Sequence, residues 1–202
     1  MTTEGTTMHG DDGTASALVF FNEHEARTVD AIAARLVPGD QNDPGAREAG
    51  AVVYLDRTLG GFLRNLQAFY RRALARFDEL CVVRYGALFA DLQNYDQDRV
   101  LSELEAAGRG GEGASEVRDV SWTDEGLLAT FFEVVREHLL QGMFCDPVYG
   151  GNRDLAGWRL LGFPGVQWGY TPEQMQPGVD WRSIPMRTLA DLRRERPWGG
   201  EQ

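Results

Sequence analysis

The sequence predicts a mainly α-helical fold: a single bundle of about five or six helices followed by an irregular arm rich in proline and tryptophan. Three observations lead there. Apolar residues recur at every third and fourth position in one segment after another, and several segments open on side chains that cap helices. No long run alternates apolar with polar residues as a half-buried strand would. Val52-Val53-Tyr54 and Val82-Val83 come nearest to strand sequence and are too short to outweigh the helical periods.

Residues 1–16 are rich in Thr, Gly and Asp, lack apolar periodicity and read as a mobile arm. The first helix has a clear start: Asn22 as cap, Glu25 three residues on as in a capping box, and Phe21 placed to staple onto Ala26. Val29, Ile32, Ala33 and Leu36 share one face, and Pro38-Gly39 ends the helix. A second helix is expected from Ala46 to Leu59, with Val52, Leu55 and Leu59 inward and Gly60-Gly61 closing it. A third runs from Phe62 to Leu80 and presents Leu63, Leu66, Tyr70, Leu74 and Phe77 at helical spacing. Asn94 with Gln97 reads as another capping box, opening a helix through Val100, Leu101 and Leu104. Gly108, Gly110 and Gly113 spell GxGxxG, but a dinucleotide loop needs a strand before the glycines and a helix after them. Here a helix precedes and an acidic loop follows, so the match is rejected. Thr123 then caps the strongest helix, Asp124 to Met143, whose Leu127, Leu128, Phe131, Val134, Val135, His138 and Leu139 form one broad face.

Composition narrows function. The 202 residues carry 43% apolar and 25% charged residues, ordinary for a globular protein. Twenty basic residues against thirty-one acidic give a net charge of −11, and every basic residue is arginine. Without lysine, Schiff-base chemistry and a P-loop lysine are excluded. The negative charge argues against nucleic-acid binding, which needs a positive face. Cys81 and Cys145 belong to no CxxC pattern and read as two free thiols of a reducing compartment, with a single disulfide as the other reading. The longest apolar runs fall far short of the roughly 18–20 residues that span a bilayer. No export signal opens the sequence, so the chain is expected in the cytoplasm, without membrane insertion.

Candidates for catalysis are few. His138 with Glu137, inside a helix, is the best-placed acid–base pair, and a single helical histidine is more often a hydrogen-bonded core or interface residue. No Cys/His cluster has zinc spacing and no GxSxG elbow is present, so no catalytic residue and no metal site is assigned. The segment Cys145 to Trp158 stands out instead. Asp146-Pro147 stops the strongest helix, Gly150-Gly151 permits unusual backbone and close approach, and Asn152 is placed to cap the next short helix. Two readings stand side by side: a tight corner held by Asp146 and Asn152, or a rigid platform presenting Tyr149, Asn152, Arg153 and Trp158 to a partner. From Phe163 onward lie five of the eight prolines and three of the five tryptophans, Trp168, Trp181 and Trp198. Proline rules out long helices there, apart from a short one near Met186 to Arg194. So many aromatics suit an arm laid over a surface, its own or another protein's.

The run His138 to Asp154, with its Asp146-Pro147-Val148-Tyr149-Gly150-Gly151-Asn152-Arg153-Asp154 core, continues into Gly157-Trp158 and Gly162-Phe163-Pro164-Gly165. Together with Phe20 to Ala26, Pro38-Gly39, Gly45 to Gly50 and Tyr54-Leu55-Asp56, it resembles the gluconate 2-dehydrogenase subunit 3 family. The likeness divides the chain into the arm 1–16, a family-like domain 17–165 and a tail 166–202. It implies a small helical subunit with no cofactor of its own. Its partner would be a large flavoprotein of the glucose–methanol–choline type, which holds FAD and oxidises a hydroxyl of a sugar, sugar acid or glycoside, with a cytochrome c subunit as electron acceptor. Exported members carry a twin-arginine signal that this sequence lacks, so a periplasmic place is expected only if a partner carries it. The expected partner-binding residues are Asp146, Tyr149, Asn152, Arg153, Trp158, Trp168 and Trp181. The competing readings are a stand-alone lyase or isomerase using His138, and a chaperone for flavoprotein maturation.

Overall fold

The computed structural model describes residues 17–109 and 124–195. The arm 1–16, the Thr123 cap, Gly110 and Gly113, and Trp198 lie outside the described residues. Within them the fold is mainly helical. Seven α-helices occur, against the five or six expected for the bundle, because the short tail helix adds one.

Helix α1 (Glu23–Leu36) opens on the reciprocal cap read from the sequence: the Asn22 side chain accepts the Glu25 N–H while the Glu25 carboxylate accepts the Asn22 N–H. Helix α2 (Ala51–Gly60) starts five residues later than the pattern indicated. Ala46 to Gly50 form a separate turn, which Gly50 closes at φ 72°. In that left-handed conformation the turn cannot continue as helix. Helix α3 (Gln67–Tyr85) follows a short 3₁₀ turn at Arg64–Leu66 and runs five residues past Leu80, through Cys81, Val82 and Val83, until Gly86 ends it at φ 71°. The β-branched pair is helical because nothing before Gly86 interrupts the ladder.

Helix α4 (Asn94–Arg109) corrects another detail. The Gln93 carbonyl accepts the first helical N–H groups, and the buried Gln97 amide donates to the Phe89 carbonyl at 2.8 Å. Gln97 therefore ties α4 to the preceding 3₁₀ turn (Phe89–Asp91) and does not complete a capping box with Asn94. Gly108 belongs to this helix.

Helix α5 (Asp124–Phe144) is central and touches α1, α2, α3, α4 and the short α6 (Ala156–Leu161). All seven residues of its expected apolar face are buried, His138 included. Fully burying each aliphatic or aromatic side chain of such a face is worth about 1.5–3 kcal/mol. An aromatic knot of Phe69, Tyr70, Phe77, Phe89 and Phe131 fills the space between α3 and α5, with ring centres 5.0–6.5 Å apart. Beyond Gly165 the chain folds back on its own domain. Gly165 pairs with Arg187 as an isolated parallel bridge, Ile184 and Leu192 are buried, and α7 (Leu189–Glu195) ends the described chain.

One buried carboxylate organises the entry to the bundle. Asp56 of α2 is 2% exposed, and its oxygens accept the backbone N–H groups of Val19, Phe20 and Phe21 at 2.7–2.9 Å. It pins the segment before α1 across α2, with Val19 lying against Gly60.

Candidate functional site

The C-terminus of α5 leaves carbonyls without helical donors, and a buried helix end must find them elsewhere. The segment that follows supplies them one by one. The Asn152 N–H donates to the Gly142 carbonyl at 2.9 Å, the Asn152 side-chain amide to the Cys145 carbonyl at 2.9 Å, and the Trp158 indole N–H to the Phe144 carbonyl at 2.8 Å. The Asn152 side-chain oxygen then accepts the Gly157 N–H at 2.9 Å, which fixes the start of α6. Asp146 serves two masters. One oxygen accepts the Val148 N–H, capping the 3₁₀ turn Pro147–Tyr149, and the other accepts the Leu189 N–H at the head of α7.

Two glycines are there because backbone passes where a side chain would stand. A Cβ on Gly151 would lie 2.0 Å from the Gly142 carbonyl oxygen, and one on Gly157 would lie 2.2 Å from that of Met143. The corner also holds Asn152, Asp154 and Leu155 at φ 46°, 55° and 59°. Left-handed backbone costs about 1–2 kcal/mol in a non-glycine residue. It persists here because the surrounding hydrogen bonds fix it.

The corner therefore sorts the expected partner-binding residues into two groups. Asn152 is fully buried, Trp158 is 3% exposed with its ring against Phe163, and Asp146 is buried with both oxygens engaged. These three are buried and hold the corner from within; the sequence could not separate the roles because Trp and Asn serve either. Tyr149 and Arg153 stay on the surface. Trp168 and Trp181 are also exposed, Trp181 edge-on to Tyr170 at 5.4 Å.

What the corner shapes is a groove of about 790 Å³ between α2, the end of α5 and the Pro147–Tyr149 turn. Tyr54, Arg57, Thr58 and Phe62 form one wall; Gln141, Phe144 and Cys145 form the floor; Asp146, Val148 and Tyr149 form the other wall. The Tyr54 hydroxyl reaches Gln141 across it at 3.3 Å. Phe62 is 90% exposed at the lip and Tyr149 56%. Sequence reasoning missed the α2 wall. Its one signal was the spacing of Tyr54, Thr58 and Phe62, four residues apart and opposite the buried Val52, Leu55 and Leu59.

Neither acid–base candidate lines the groove. His138 is buried in the core, and its Nδ1 lies 2.8 Å from the Tyr70 hydroxyl. Burial pushes the Tyr70 phenol well up, so its hydroxyl stays protonated beside the imidazole. Burial also lowers the His138 pKa from 6.5, outweighing the nearby Glu137 charge. Glu137 itself is exposed and accepts from the Gln141 amide. A base held neutral in the fold and protonated in the unfolded chain destabilises the fold on acidification. Stability is expected to be full above pH 6.5 and to fall as pH drops below it. Thermal melts at pH 7.5 and 5.5 check this: His138→Gln should shrink the acid-side loss relative to wild type. Cys81 and Cys145 are free thiols. Burial drives Cys81 up to about 12 and raises Cys145 as well, so neither is an activated nucleophile. Among the described residues no three of His, Cys, Asp and Glu converge as metal ligands, and no helix is long and apolar enough to cross a membrane.

The fold and the site define an all-helical domain whose most distinctive motif builds a rigid corner beside an aromatic groove. The model of the family "Gluconate 2-dehydrogenase subunit 3" matches residues 23–165, and the chain belongs to that family. No curated protein and no solved structure matches it significantly.

Proposed function

We propose that this chain is the small, non-catalytic subunit of a dehydrogenase complex. In this reading it binds and stabilises a large FAD-dependent flavoprotein of the glucose–methanol–choline type that oxidises a hydroxyl of a sugar, sugar acid or glycoside. Family membership supports the subunit role. The observation that carries the docking role is the division of labour at the corner. Its buried polar side chains, Asp146 and Asn152, are engaged by the chain's own backbone, and exposed aromatic side chains stand beside them: Phe62 and Tyr149 on the groove, Trp168 and Trp181 on the tail. Exposed Tyr and Trp on rigid backbone are what interface hot spots are made of. The lyase or isomerase reading is disfavoured because its acid–base residue, His138, is bonded to Tyr70 inside the core.

Co-expression with the glucose–methanol–choline-type flavoprotein of the same genome tests the proposal. The expected product is a yellow complex of the two chains that reduces a redox dye with sugar substrates, with activity lost or short-lived in the flavoprotein alone. A colourless chain that elutes by itself, beside a flavoprotein that is fully active and stable without it, would overturn the proposal. A complex that forms transiently and then releases an active flavoprotein would favour the chaperone reading.

A further inference from the structure

The groove has more to say about what enters it, on the reading that a partner subunit docks here. Its apolar surface does not stop at the walls. At its rim Phe62 is 90% and Val148 44% exposed, and Val19, against Gly60 at the end of α2, is 64% exposed. A small ligand filling the groove would leave that rim bare, so the occupant is larger than the groove. Among the described residues the tail meets Asp146 through the Leu189 N–H and contributes no side chain to the groove lining, and the sequence of residues 1–16 offers only Met1, Met8 and Ala15 as apolar side chains.

The charge beside the groove runs against the charge of the chain. At net −11 the protein as a whole favours a basic partner surface. Yet two arginines flank Gly150, which follows Tyr149 at the groove wall. A methyl on Gly150 would lie 2.7 Å from Arg57 Nη1, and one on neighbouring Gly50 would lie 3.5 Å from Arg153 Nη2 and 3.7 Å from the Gly150 carbonyl oxygen. Arg153 is exposed and forms no ion pair among the described residues, and its backbone N–H is fixed to the Ala49 carbonyl at 2.9 Å. The nearest groove carboxylate, Asp146, is buried with both oxygens accepting backbone N–H groups. Asp154 and Glu137 are the exposed acids closest in sequence to the site, and Glu137 is turned to Gln141.

We propose that the groove receives a segment of the partner flavoprotein that carries an aromatic or branched apolar anchor flanked by a carboxylate. The anchor seats between Tyr54, Phe62 and Tyr149, and the carboxylate meets Arg153. A guanidinium on fixed backbone takes a carboxylate through paired hydrogen bonds, which sets the register of the anchor as well as attracting it.

The test measures the affinity of the full-length chain for the purified flavoprotein at about 50 and 500 mM salt, where screening of exposed charges differs strongly. Arg153→Glu is expected to weaken binding at least about tenfold at low salt and to flatten the salt dependence, while Arg153→Lys, which keeps the charge and loses the paired hydrogen bonds, weakens it by less and keeps the salt dependence. Phe62→Ser, at a side chain too exposed to affect folding, is expected to weaken binding about tenfold and to leave the salt dependence unchanged. Tighter binding by Arg153→Glu would mean a basic segment and overturn the proposal. Wild-type affinity in both Arg153→Glu and Phe62→Ser would place the partner on another face; the subunit reading would then stand and this proposal fall. A dimer of the chain alone, dispersed by Phe62→Ser in sedimentation, would give the groove to a second copy and likewise overturn it. Absence of any wild-type complex would defeat the subunit reading itself.

Discussion

Gly151→Ala is expected to unfold the corner at a cost above about 4 kcal/mol, the range reserved for substitutions with a named structural fault. The fault here is backbone against side chain. The added Cβ would stand 2.0 Å from the Gly142 carbonyl oxygen and 3.1 Å from Cys145 Sγ. No rotamer relieves a Cβ contact, so the 150–157 segment would have to lift off α5. That movement would break the Asn152–Gly142 hydrogen bond and leave the α5 end carbonyls buried without donors. Gly169→Ala is the control, because a Cβ there meets nothing within 4 Å and Gly169 lies outside the positive-φ region. Thermal melts should separate the two variants widely. A Gly151→Ala protein that melts with wild type would show that the corner is loose, and the reading of its motif as scaffolding would fail.

Asp56→Ala is expected to cost about 3–5 kcal/mol, because it strands three N–H groups that share one carboxylate. Val19, Phe20 and Phe21 all lose their acceptor, and Phe21 is buried in the core edge-on to Tyr70. For a chain of this size that corresponds to a fall of roughly 6–20 °C in melting temperature. Proteolysis should report where the loss occurs. Cleavage is expected to appear first between residues 17 and 22, ahead of α1, while α3 to α5 remain protected. Uniform digestion would mean that Asp56 supports the whole bundle and not this entry strap.

How far these features could be read from sequence follows from their range along the chain. The α1 cap joins residues three apart, and the α5 face repeats within one helix, so periodicity and capping rules reach both. Asp56 acts across 35 to 37 residues, and Asp146 reaches Leu189 across 43. No local rule links such positions. Gln97 shows how a local rule misleads: three residues after Asn94 it fits a capping box, but a carbonyl eight residues upstream takes its amide. The corner was legible as an object and ambiguous as a role. Its glycines and its Asn marked a tight turn, yet which of Tyr149 and Trp158 would face inward depended on the position of the Phe144 carbonyl, which only the fold supplies. The groove was the least legible, since its walls come from residues nearly ninety positions apart, as the Tyr54–Gln141 contact shows.

The most direct measurement is amide hydrogen exchange of this chain, free and bound to its flavoprotein. Docking at the corner predicts new protection over residues 54–63 and 141–153, with little change in α3 and α4. Protection centred on other exposed side chains, Val83 at the end of α3 and Tyr95 at the start of α4, with the groove unchanged, would contradict it.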